Sequence, residues 1–400
     1  MAVQKLATVD MQTTPRPTTA GRKLAIAGVV LLVVGAAAWI MQLTQGLLVT
    51  TGMNNVFVWG LMIGMFAFLV GFGAGAQLVC TVLVLVGRPD LMRWVPVAGA
   101  IGFACTASAA IAVLMDLGAL RNILAMIFGL NLRSPLAWDM GALTIFLVLS
   151  LVQLIFIALR KDVRIIAALA GIAAVALQVV EGLLFSTQTA HAWWATPIMP
   201  IDFLMVAFVS GAALVLLVMT IGHAQVSVME WTGRFLAIFI LVHIVLALID
   251  LGMVAAEGTP QSAAVMAALA QYWWLYTIEL VLPFIAMIIL FFFAGGDASG
   301  KKERIAAILT IIGIFAHRLM LLYPSYGAPS LYLELSGTDI VTGAYPISTG
   351  RFLDAGNAFA TTTGYAPAPL EWASVLMPVG VAILAALAAL AVMRKIAPKG

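Results

Sequence analysis

The chain has 400 residues, 64% of them apolar and only 9% charged, with a formal net charge of +3 and a mean hydropathy of +1.12. So few charges cannot cover the surface of a soluble domain of this size, and nothing here favours a nucleic-acid partner. The composition predicts an all-α integral membrane protein surrounded by lipid; solid apolar runs without period-2 alternation exclude a β-barrel.

One helical crossing takes about 20 apolar residues, and ten stretches qualify. In chain order they are 24–45, 57–86, 95–117, 137–159, 164–186, 201–222, 233–256, 266–293, 304–323 and 373–393. Residues 1–22, rich in Thr, Pro and Gln, lack an apolar core of their own and read as a tail, not a cleaved signal. Residues 23–56 supply a first flanking helix and loop, 57–186 a first four-helix bundle and 187–323 a second. A long loop over 324–371 and a final helix and tail over 372–400 complete the order.

Sixteen of the 20 Lys and Arg residues fall in the two tails and the loops on their side; Arg121, Arg133, Arg318 and Arg351 are the others. The positive-inside rule therefore predicts both termini in the cytoplasm and the 324–371 loop outside. Trp59, Trp138, Trp193, Trp194, Trp273, Trp274 and Trp372 gather towards the outer ends, as an interfacial belt or a partner-docking surface would.

Two helices close in the same words, Leu114-Met115-Asp116-Leu117-Gly118 and Leu248-Ile249-Asp250-Leu251-Gly252. Gly75-Ala76-Gln77-Leu78-Val79 in the helix before the first matches Gly211-Ala212-Ala213-Leu214-Val215 before the second. The same shift of 136 sets Glu181 against His317. A carboxylate in a membrane helix is costly and seldom incidental, so the recurrence predicts two parallel-repeat four-helix bundles with flanking helices.

The ionisable groups Asp116, Asp139, Glu181, Asp202, Asp250, His317 and Arg318 fall in the outer third of their helices, with Glu279 somewhat deeper. They outline a polar cavity open outwards. Arg318, at its depth, needs a carboxylate, and Glu279 on the neighbouring antiparallel helix is the first expectation, with Asp250 or Glu181 next. Four His residues limit the cofactors: a bis-His haem needs two imidazoles at one depth, which only His191 with His317 could approach. His243 reads as a hydrogen-bonded core residue. Cys80 and Cys105 lie inside helices and offer no cluster ligation, so no haem or iron–sulfur centre, and no other metal, is expected on this chain.

Several segments resemble the NrfD/PsrC family of polysulfide-reductase membrane subunits, most closely its ten-helix branch that includes HybB and DsrP. They are Trp59-Gly60-Leu61 with Phe68-Leu69-Val70-Gly71 and Gly73-Ala74-Gly75-Ala76; Asp116-Leu117-Gly118 with Asn131-Leu132-Arg133-Ser134-Pro135-Leu136-Ala137-Trp138-Asp139; and Trp194-Ala195-Thr196-Pro197 with Pro200-Ile201-Asp202-Phe203. Glu279-Leu280-Val281-Leu282-Pro283, His317-Arg318-Leu319 and Tyr365-Ala366-Pro367 with Glu371 continue it, so that it covers about 57–393.

The resemblance implies a bacterial inner-membrane subunit, not catalytic on its own. Such a subunit would exchange electrons between a menaquinone or ubiquinone pool and a ferredoxin-like iron–sulfur subunit on the outer face, with further catalytic or cytochrome subunits beyond. It implies a quinone site flanked by Asp116 and Asp139, shaped by Asn131 and Trp138, with His191 and Asp202 nearby. Glu181, Asp250 and Glu279 would form a proton line with Arg318 as counter-charge. Where many members have Arg-Pro after Asp-Leu-Gly and then a His, this chain has Ala119-Leu120 and Ala125. Asn122, Asn131 or His191 are candidates for that place. The alternatives are a secondary transporter with parallel repeats and a passive anchor for an extrinsic redox complex.

Overall fold

The computed structural model describes residues 19–53, 57–118, 128–189, 191–296, 299–327 and 365–398, with isolated positions between 8 and 14 and the strand pair 333–334 and 341–342. Among these, ten helices are long and apolar enough to cross a membrane. They are α1 (Thr19–Gln45), α2 (Leu61–Val86), α3 (Val95–Asp116), α4 (Pro135–Ala158), α5 (Arg164–Ser186), α6 (Met199–Ile221), α7 (Val226–Glu257), α8 (Trp273–Ile288, continued by a π turn at Ile289–Phe293), α9 (Lys301–Gly327) and α10 (Leu376–Ile396, preceded by a short helix at Pro369–Ser374). An antiparallel strand pair, Leu333–Glu334 with Val341–Thr342, lies between α9 and α10. An even number of crossings returns both chain ends to one face, the terminal face; α2 begins at the opposite face.

The order of packing is the same in both halves. In the first, α2 packs on α3 and α5, and α4 on α3 and α5; in the second, α6 packs on α7 and α9, and α8 on α7 and α9. The halves meet along α2 and α6, at the two glycines that the 136-residue shift equates. A Cβ on Gly75 would lie 1.8 Å from the Ala207 carbonyl oxygen, and one on Gly211 would lie 2.0 Å from the Gly75 carbonyl carbon. Lipid offers helices no hydrophobic reason to associate, so close approach of backbones at small residues supplies the dispersion contact. α1 and α10 pair on the same principle, Gly35 lying against the Met377 backbone and Gly380 against that of Leu32, and α10 joins this pair to α3. Gly75→Ala and Gly211→Ala should each destabilise the protein by about 1–3 kcal/mol, the usual overpacking cost. A lowered thermal transition in mild detergent checks this, and unchanged transitions would contradict the contact.

Two boundaries depart from the sequence expectation. The run 266–293 is not one helix. α7 ends at Gly258, whose φ of 67° suits a glycine, and Thr259 then caps a separate helix, Pro260–Gln271, through a reciprocal capping box with Ser262. That helix stops at Tyr272, and α8 starts at Trp273. The matching Asp-Leu-Gly words also end differently. Asp116 closes α3, and Gly118 turns the chain with φ 61°, whereas Asp250-Leu251-Gly252 lies inside α7, which runs on to Glu257.

Candidate functional site

Proline opens the helices where the site is built. Pro324 in α9 has no N–H for the carbonyl one turn back, and the freed Met320 oxygen accepts from Trp193 Nε1 at 2.9 Å. Trp194 Nε1 donates to the next carbonyl, Leu321, at 2.5 Å. The Trp193-Trp194 pair thus ties the α5–α6 turn to α9. Pro283 in α8 likewise leaves the Glu279 carbonyl without its helical donor, and Gly313 lets α9 close onto the Pro283 ring. His317 and Arg318, one turn further along α9, come level with Glu279.

Five ionisable side chains from four helices meet there. His317 Nδ1 is 2.8 Å from Glu279 Oε1, and its Nε2 is 3.1 Å from Asp202 Oδ2. Asp202 Oδ1 lies 3.3 Å from His243 Nδ1, and the two imidazoles stand perpendicular with centroids 5.1 Å apart. Asp250 joins Asp202, Glu279, His317 and Tyr276 in the wall of a cleft of about 30 Å³. That suits a water or two and is too small for a quinone ring. Asp202, Glu279 and His243 are buried, in a setting where isolated charges are costly.

Arg318 does not pair with Glu279, as the sequence suggested. Consecutive residues on a helix point about 100° apart, so His317 takes the α8 side and Arg318 the centre of the molecule. Its Cζ sits 4.3 Å above the Phe203 ring, a cation–π arrangement. Among the described residues none of its three nitrogens has a hydrogen-bond partner, and the acidic fields that reach it come from Glu181 first, then Asp202 and Glu279. Glu181 is fully buried in α5, with Oε2 accepting from Gln178 Nε2 at 2.9 Å, and the charge of Asp139 reaches it from α4. The expected proton line is thus split: Asp250 and Glu279 stand with the histidines, and Glu181 stands with Asp139 beside Arg318.

Asp116 lies apart from both groups, in a cleft with Gln42, Thr51, Glu371 and Ser374. Glu371 accepts from Gly52 N (2.7 Å), Ala368 N (2.8 Å) and the Tyr365 hydroxyl, and Tyr365 in turn accepts from Leu61 N at 2.6 Å. Burial and this carboxylate hold the Tyr365 phenol well above its usual range. Asn131 and Trp138 are exposed and serve their own turn: Asn131 Oδ1 accepts from Arg133 N, and Trp138 Nε1 donates to Leu132 O at 2.9 Å. His191 rests on Trp194 (centroids 4.2 Å) and Tyr326, and burial lowers its imidazole below the ordinary value. The ring beside His317 is therefore His243, and His191 packs elsewhere, on Trp194 and Tyr326. Ala119, Leu120, Asn122 and Ala125 lie outside those residues.

The sequence reads His243 as a hydrogen-bonded core residue, which its contact with Asp202 matches, but that reading leaves out its place in the cluster and the neutral half of the first bundle. His243 stands seven residues before Asp250, two turns along one face of α7, and that spacing was available as a signal. Towards the terminal face, Gln77 Nε2 donates to Gln153 Oε1 (2.7 Å), Gln153 Nε2 to Cys80 Sγ (2.9 Å), and Thr81 Oγ1 to the Ala167 carbonyl (2.8 Å). Buried amides follow no charge pattern and vanish among apolar neighbours in a sequence.

Ten apolar helices enclosing buried ionisable clusters define a multi-pass membrane protein built around a polar interior. The sequence matches the family described as Polysulphide reductase, NrfD over residues 49–329, and the chain belongs to that family. It is also similar to a putative dimethyl sulfoxide reductase membrane subunit of Halobacterium salinarum, 29% identical over 265 residues that make up 58% of this chain and 59% of that protein. The chain thus spans about three fifths of the length of that relative.

Proposed function

We propose that the chain is the quinone-exchanging membrane subunit of a respiratory oxidoreductase, working with an iron–sulfur subunit docked at the opposite face. The observation that carries this reading is the Asp202–His317–Glu279 arrangement: an imidazole between two buried carboxylates, lining a small cleft, in a member of the NrfD family. Oxidation of a quinol to a quinone releases two electrons and two protons together. The electrons leave through the partner's clusters, and the protons need groups that accept them at the edge of the membrane.

His317 is the first acceptor, since its two nitrogens face two different carboxylates and a proton taken at one side can leave at the other. Asp250, at the mouth of the same cleft, passes the proton towards the opposite face. Arg318 balances the carboxylates left behind. The cleft admits water and not a quinone ring, so the cluster handles protons beside the quinone and does not enclose it. Asp139 beside Glu181, and Asp116 in its separate cleft with Glu371, are the two proposed positions for the head group. The matching packing of the two halves supports a duplicated bundle in which the second copy has specialised in proton handling.

In this reading the membrane is the bacterial inner membrane, both termini are cytoplasmic and the opposite face is external. A phosphatase fused after residue 398 should stay in the cytoplasm and be inactive, and one inserted in the 324–371 loop should be active; the reverse pattern would invert the assignment. Electron transfer tests the function itself. The purified chain should not couple quinol oxidation to a soluble dye, and adding its iron–sulfur partner should confer that activity. Turnover by the chain alone, or none by the pair, would overturn the proposal.

A further inference from the structure

His243, Glu279 and His317 each offer a ligand atom within 4.8 Å of those of the other two. Among the described residues, Nε2 of His243 and Oε2 of Glu279 are buried without a hydrogen-bond partner, and Nε2 of His317 faces only the Asp202 carboxylate. Orphaned polar atoms are rare in a low-dielectric interior, because each forfeits a hydrogen bond it made to water. Here two come from members of one cluster. The His317 Nε2 atom lies 3.1 Å from Asp202 Oδ2, so Nδ1, facing Glu279 Oε1 at 2.8 Å, is the His317 nitrogen on the Glu279 side of the cluster.

We propose that these three side chains form a site for one divalent first-row transition-metal ion of the zinc type. Two imidazole nitrogens and a carboxylate oxygen form the donor set that zinc takes in three-ligand sites, with a fourth position left for water. The adjoining cleft of about 30 Å³ supplies that position. Asp202 holds the second nitrogen of His243 at 3.3 Å, the carboxylate–histidine relation that fixes a metal-binding tautomer without itself touching the ion. The carboxylates of Asp202 and Glu279, with Asp250 on the same cleft, supply negative charge to meet the cation and offset the field of Arg318.

Binding requires both imidazoles neutral and releases any proton they carry. An ion entering from the opposite face would therefore compete with protonation of His317. The site shares His317 and Glu279 with the proton-handling reading but is argued from geometry alone, and its test uses the chain without a partner or a quinone.

The full-length chain, purified in detergent with a streptavidin-binding tag instead of polyhistidine and stripped with a chelator, is titrated with Co(II). The expected result is one Co(II) per chain with the visible ligand-field bands of a four- or five-coordinate site, abolished by one equivalent of Zn(II). His243→Gln and Glu279→Gln should each lose the stoichiometric bands. Asp202→Asn should keep the bands with affinity weakened about 10–100-fold. Metal-free thermal transitions identify any variant that fails to fold, and the wild-type titration then decides the matter by itself. Absence of ligand-field bands in the wild type, or equal uptake by folded His243→Gln and Glu279→Gln, would overturn the site.

Discussion

Arg318→Leu should destabilise the protein by about 3–5 kcal/mol, the cost of leaving a buried charge without its counterpart. Arg318 is 1% exposed, its guanidinium has no hydrogen-bond partner among the described residues, and it owes its place to the Phe203 ring and to the surrounding carboxylates. Insertion scales put an arginine at the helix centre near +3 kcal/mol, so the bundle retains it only because acidic groups surround it. Removing it leaves Glu181 with Gln178 as its hydrogen-bond donor and the Asp139 charge nearby. Adding Glu181→Gln should therefore restore much of the lost stability. Adding Glu279→Gln should not, because Glu279 keeps His317. Thermal unfolding of the three variants in detergent reads this directly. Rescue by Glu279→Gln and not by Glu181→Gln would reverse the pairing.

His317→Gln should reduce quinol-coupled turnover by about 10²–10⁴-fold, the usual contribution of a positioned acid–base group. Glutamine retains the length to reach Glu279 but cannot carry a proton between Glu279 and Asp202. Dye reduction by the partner alone should be unaffected, which separates lost proton transfer from lost assembly. Undiminished quinol-coupled turnover in a folded His317→Gln variant would remove the imidazole from the pathway.

The helices were legible because a membrane crossing writes itself as about 20 apolar residues, and 164–186 matches α5 to the residue. The break before α8 was also written, as Gly258-Thr259-Pro260: a left-handed stop, a cap and a first-turn proline in succession. The apolar content on either side reads as one run and hides it. Which residues carry charge was legible too, since composition alone marks Glu181, Glu279 and Arg318 as exceptional. Their partners were not. The 100° step between His317 and Arg318 sends one to Glu279 and the other to Phe203, and that choice depends on how α9 is rotated against α6 and α8. Helix rotation is fixed by packing at places such as Gly75 against Gly211 and Gly313 against Pro283, where identity is plain in the sequence and the neighbour is not. Asn131 and Trp138 illustrate the converse: their motif is local, and the hydrogen bonds they make are local as well.

The central claim is that this chain itself engages the quinone pool. The most direct test is to titrate the purified chain, without any partner, with a fluorescent hydroxyquinoline N-oxide that mimics the quinol head group. The account predicts saturable quenching at one site per chain, reversed by a short-chain quinone and weakened by Asp116→Asn or Asp139→Asn. Quenching that never saturates, or that an excess of quinone leaves unchanged, would contradict it and leave the chain as an anchor for the redox machinery of others.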